Sequence, residues 1–169
     1  MATKFYDKFL QLQTPEWIPG YINYKKIDDF IKGIGKGGQQ SRLMRHSTIR
    51  SIYNMFGANN SNGRGNIYFA QEADTFVQMI NQEVIKLNSF FLQREEELSM
   101  HHEKLKEQID LMASDILTSS SARKQLEDAF EEHYRATNLL LNFRLTNYTA
   151  LAHLVEKFDR VTGNKLTVD

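Results

Sequence analysis

From Phe69 to about Asp115, apolar side chains return at steps close to three and four: Phe76, Ile80, Val84, Leu87, Phe91, Leu98, Leu105, Ile109, Met112 and, one residue beyond, Ile116. This rhythm lays one apolar stripe along one face of an α-helix. Unbroken, such a helix is roughly 70 Å long at ~1.5 Å per residue. Thr118-Ser119-Ser120-Ser121 then supplies turn chemistry and a capping serine. Leu126, Phe130, His133, Thr137, Leu140 and Leu141 describe a return helix to about Arg144. Two long helices joined by a short polar turn are expected to lie antiparallel.

A short last helix is expected after Thr146-Asn147, either of which can cap it, with Gly163 as its stop. Leu151, Leu154, Val155 and Phe158 share one of its faces, while His153, Lys157 and Arg160 share another that suits an anion. At the start of the chain, Phe5, Phe9 and Leu12 mark a short helix over residues 3 to 13, which ends at Thr14-Pro15. After Pro15-Glu16-Trp17-Ile18-Pro19-Gly20, the residues Tyr24, Ile27, Phe30, Ile31 and Ile34 recur at helical spacing, and the two pieces make a helical hairpin. From Gly33 to Asn66 most of the chain's nine glycines gather with five basic residues and no acid. This is a loop in outline, with a short helix allowed between Leu43 and Phe56.

No alternating run bounded by turn residues signals a strand, so the fold class is all-α. At 169 residues, a quarter of them charged, the chain suits one globular domain. Its expected parts are a hairpin over 1–34, a basic glycine-rich loop over 35–66, and a three-helix bundle over 67–163. With no cysteine, disulfides and thiolate metal sites are excluded. No apolar run approaches the ~18 residues that span a bilayer, so a cytoplasmic chain is expected, or the soluble part of a membrane-associated parent.

Net charge is zero, yet residues 1–68 hold ten Lys/Arg against four Asp/Glu while 69–169 hold eleven against seventeen. That balance argues against a general nucleic-acid binder and leaves room for a local basic pocket. The glycines lack the spacing of a phosphate-binding loop. Glu97 with His101, and His102 beside Glu103, are too few ligands for a metal site on their own. With no nucleophile, base and orienting acid to be picked out, neither enzyme activity nor a cofactor is expected.

Three blocks in order resemble the SPX domains, which sense phosphate status by binding inositol polyphosphates and pyrophosphates. The first is Lys4-Phe5 with Pro15-Glu16-Trp17 and Tyr21-Ile22-Asn23-Tyr24. The second runs from Phe76 to Phe91, and the third joins Asn147-Tyr148-Thr149 to Lys157, Asp159, Arg160 and Thr162-Gly163. The resemblance implies an N-terminal helical hairpin on a three-helix bundle with two long helices. It also implies a basic ligand surface carrying Lys4, Tyr24, Lys157 and Arg160, with His153 joining if the ligand raises its pKa, and Lys8, Lys25 and Lys26 as auxiliaries.

Several positions depart from the family pattern. Asp28 stands where the family has lysine, its three flanking lysines of the last helix are here His153, Glu156 and Arg160, and its Thr-Gly-Phe is Thr149-Ala150-Leu151. Asp28 and Glu156 thus put acids in place of cations. Each exchange of attraction for repulsion beside a phosphate costs on the order of 1 kcal/mol or more. Weakened binding is therefore expected, unless Lys36, Arg42, Arg45 and Arg50 fold over the pocket. The alternative is a helical interaction module that has lost the ligand and docks on a protein partner or a neighbouring output domain. Oligomeric state stays open, because a long amphipathic helix can bury part of its surface against a partner.

Overall fold

The computed structural model describes residues 2–47, 62–114 and 119–163. Helix α1 (Ala2–Gln11) leads into a 3-10 helix (Pro15–Gly20), followed by α2 (Tyr24–Ser47), α3 (Asn62–Ser114) and α4 (Ser120–Thr162). Among the described residues there is no strand, and the fold is all-α. The chain forms two compact units, Met1–Tyr21 with Ile85–Tyr148 and Ile22–Val84 with Thr149–Asp169.

The first unit is built around aromatic rings. Phe143 lies 4.7 Å from Tyr21 and 4.9 Å from Phe90, centroid to centroid, and Trp17 closes on both Phe90 and Phe143 at about 6 Å. Such offset and edge-on pairs add to what burial alone contributes. The 3-10 helix fits because Gly20 has no side chain: a Cβ there would stand 2.7 Å from the Phe90 ring. The Thr14 amide donates to the Tyr21 hydroxyl at 3.1 Å and fixes the turn into that helix. Residue 90 meets 143 and 101 meets 133, so α3 and α4 run antiparallel here, as expected. Ser119 caps α4 by accepting from the Ala122 amide at 3.2 Å.

In the second unit Tyr24, Ile27 and Ile31 of α2 are at most 2% exposed, as are Phe76, Ala150, Leu154 and Phe158. Phe76 and Phe158 stack with centroids 4.1 Å apart and planes 12° from parallel. Asn23 caps α2 by accepting from the Lys26 amide at 3.2 Å, and its own amide donates to Glu83 at 3.0 Å.

Three expectations are corrected. The separate last helix does not exist, because α4 is continuous from Ser120 to Thr162. Instead of capping, Asn147 is buried and donates to the Phe143 carbonyl at 2.9 Å, which keeps its polar group satisfied inside the helix. The inward stripe Phe143, Asn147, Ala150, Leu154, Phe158 carries across the supposed break without losing phase. The stop at Gly163 is as expected, with φ +75° and its amide donating to the Asp159 carbonyl at 2.8 Å.

The loop expected over 35–66 is also corrected in part. Helix α2 continues to Ser47 through Gly33, Gly35, Gly37 and Gly38, and α3 begins at Asn62 rather than Phe69. Gly35 faces α4, where a Cβ would meet Val161 at 3.4 Å, an ordinary contact. Lys36, Arg42 and Arg45 are therefore helix positions, and Arg50 with the rest of 48–61 lies outside the described residues. Lastly, Leu12, Ile109, Phe130 and Leu141, counted with the inward stripes, are 53%, 41%, 37% and 55% exposed.

Candidate functional site

The second unit brings the first turns of α2 to the last turns of α4. Tyr24 opens α2, so its ring lies in the core beside Ile27 while its hydroxyl reaches α4. That hydroxyl and His153 Nδ1 share a hydrogen bond of 2.9 Å. Burial, then the Asp28 carboxylate, push the phenol up to about 12, so it stays protonated at neutral pH. Burial also lowers the His153 pKa; Lys157 and Arg160 act in the same sense, and together these outweigh Glu156 and Asp28. A neutral imidazole with its proton on Nε2 accepts from the tyrosine at Nδ1.

One turn beyond Tyr24, Asp28 points inward with its side chain only 7% exposed. One carboxylate oxygen takes the Lys157 ammonium of α4 and the other takes Lys32 at 2.6 Å. Burial raises the Asp28 pKa, but the hydrogen bonds and charges of Lys157 and Lys32 more than offset it, and the net shift is downward. Buried carboxylates persist as ions only when paired in this way. The trio carries one net positive charge.

Arg160 lies on the outer side of α4, held by Glu156 at 3.0 Å, with both side chains more than two-thirds exposed. An i,i+4 pair so open to water is worth about 0.3–0.5 kcal/mol and releases its arginine readily. Lys25 and Lys26 are exposed on the first turn of α2, where backbone amides also favour anions. Thus Tyr24, His153 and Lys157 converge, Arg160 stands one turn beyond Lys157, and Lys25 and Lys26 flank Tyr24. Lys4 and Lys8 are exposed positions of α1 in the other unit.

Sequence reasoning missed Lys32. The signal was present, because Asp28 and Lys32 are four apart on one helix face, the spacing of an ion pair. What no spacing revealed is that the Asp28 carboxylate faces α4 rather than solvent, across 129 positions of sequence. In the first unit, His133 of α4 supplies the third imidazole absent from the neighbourhood of His101 and His102, its Nδ1 lying 3.3 Å from His101 Nδ1. Among the described residues no group of three or more His, Asp or Glu side chains is arranged to hold a metal ion.

Residues 117–169 match the family model of the SPX domain. Over 149 residues the chain is 28% identical to SPX domain-containing protein 2 of Arabidopsis thaliana, covering 88% of this chain and 48% of that protein. With SPX domain-containing protein 3 of Oryza sativa subsp. indica it shares 28% identity over 164 residues, 94% of this chain and 50% of that protein. A third relative, SPX and EXS domain-containing protein 1 of Dictyostelium discoideum, is 31% identical over 86 residues, 51% of this chain and 9% of that protein. The chain spans about half the length of the first two relatives. The family-model match covers the α4 half of the polar cluster, and over most of its length the chain is similar to proteins named for the SPX domain.

Proposed function

We propose that this chain is a regulatory domain of phosphate homeostasis that binds inositol polyphosphates or pyrophosphates at the α2–α4 cluster, and binds them weakly. The observation that carries this reading is the convergence of Tyr24, His153 and Lys157 with Lys25, Lys26, Lys32 and Arg160 around the first turns of α2. Phosphates draw on the exposed Lys25 and Lys26, on Arg160 once it leaves Glu156, and on Lys32, which is 45% exposed. Lys157 contributes least, because a ligand has to compete for it with an internal carboxylate. The role is regulatory rather than catalytic, and the partner is a neighbouring output domain or a protein it controls.

Calorimetric titration with inositol hexakisphosphate at low salt tests this directly. Measurable heat and a raised melting temperature are expected, since a ligand that binds only the folded form must stabilise it. No heat and no melting shift at millimolar ligand would end the proposal.

A second reading, an interaction module without ligand, draws on one observation: Asp28 already supplies the anion that Lys157 and Lys32 would otherwise seek. If the natural chain gives no melting shift while an Asp28→Asn, Glu156→Gln variant does, this second reading holds.

A further inference from the structure

Within the first unit, α4 carries a second apolar line on the side away from its core. Leu140 and Phe143 are 6% and 1% exposed, whereas Tyr134, Leu141, Leu145 and Tyr148 are 69%, 55%, 64% and 70% exposed. With Asn138 these residues follow steps of four, three, four and three, the 3.5-residue average of a coiled-coil seam. A two-residue offset turns a helix by about 200°, so Leu141 and Leu145 flank the point opposite Phe143. In heptad terms Asn138 and Leu145 take the a positions, and Tyr134, Leu141 and Tyr148 take d. We propose that this face pairs with the same face of a second copy of the chain, parallel and in register, as a short two-stranded coiled coil.

Three features select that occupant. The first is Asn138. In a parallel pair each a position meets its own counterpart, so Asn138 bonds amide to amide, whereas an antiparallel pair sets it against the tyrosines and leucine of d. Charge is the second. The flanking e and g positions are Arg135, Thr137, Asn142, Arg144 and Thr149. Parallel pairing sets Thr137 opposite Asn142 and Arg144 opposite Thr149 of the other copy, with no like charges facing. Area is the third. Four side chains so exposed offer roughly 500 Å² per copy, near the ~1,000 Å² total at which specific interfaces begin. Association is therefore weak and dependent on concentration.

Because the chain has no cysteine, Tyr134→Cys introduces a single thiol at an exposed d position. Mild oxidation is expected to link two copies of this variant to each other through that position; an antiparallel arrangement would instead link a mixture of Tyr134→Cys and Leu145→Cys chains. Sedimentation of the natural chain is expected to move from monomer toward dimer with rising concentration. Leu141→Glu with Leu145→Glu is expected to stay monomeric, with circular dichroism showing its helices intact. A natural chain that remains monomeric at about 1 mM, where even a weak specific contact is half occupied, overturns the proposal. So does cross-linking confined to the mixed sample.

Discussion

At Asp28 a carboxylate with two ammonium partners sits almost out of water. An aspartate one turn into α2 looks, in sequence, like a charge turned toward any incoming phosphate. Buried, it acts by holding Lys157 and Lys32, so its effect on a ligand passes through the cations it occupies. Asp28→Asn is therefore predicted to move stability and affinity in opposite directions. The folded protein loses on the order of 2 kcal/mol, less than a fully buried pair because Lys32 is half solvated. The trio's net charge rises from one to two, and affinity for inositol hexakisphosphate rises about tenfold. Paired melting and calorimetry decide the matter, and unchanged affinity would mean that neither Lys157 nor Lys32 meets the ligand. The Asp28 pKa lies below its ordinary 3.8. Its stabilisation is thus complete above that value and is lost as pH falls through the lower, folded one.

The 3-10 helix owes its position to Gly20, whose missing side chain admits the Phe90 ring. That ring packs against Trp17 and Phe143, so making room for a methyl disturbs both contacts. Gly20→Ala is accordingly predicted to cost about 1–3 kcal/mol, read as a lower melting temperature, while Gly33→Ala, with open space around it, is predicted to stabilise α2 by up to ~1 kcal/mol. The contrast shows what spacing reveals about an element and what it leaves out. The stripe Phe76 to Met112 and the serine cap at residue 119 were readable because their causes lie within a few residues of each other. The unbroken course of α4 was not, since Asn147 reads as a cap until its side chain is seen bonded to the Phe143 carbonyl. Likewise the glycines of α2 read as a loop, although Gly35 lies in the helix within contact distance of Val161, far away in sequence. Of the polar cluster, Tyr24, His153 and Lys157 were legible as candidates, but the direction of the Asp28 carboxylate depends on packing between helices that no local pattern encodes.

For the molecule as a whole, both units hold a histidine whose neutral form is favoured by burial. In the first unit His133 is pushed down by burial and then by the nearby His101 and His102, and in the second His153 is lowered chiefly by burial. A histidine whose folded pKa lies below its ordinary 6.5 binds protons more readily in the unfolded chain. Its contribution is therefore complete above that value and declines as pH falls toward the lower, folded one. The two contributions share one sign, and the Asp28 pair, which fails only in more acidic solution, does not offset them. The melting temperature is predicted to fall by a few degrees between about pH 7.5 and pH 5.5. His133→Gln and His153→Gln should each remove part of that slope, and together most of it. Bound inositol hexakisphosphate should reverse the sign at His153 alone, because a phosphate beside the ring favours its charged form. The natural chain and His133→Gln would then bind more tightly at the lower pH, and His153→Gln would not. A melting temperature that holds constant or rises on acidification would show that neither ring is desolvated enough to resist protonation.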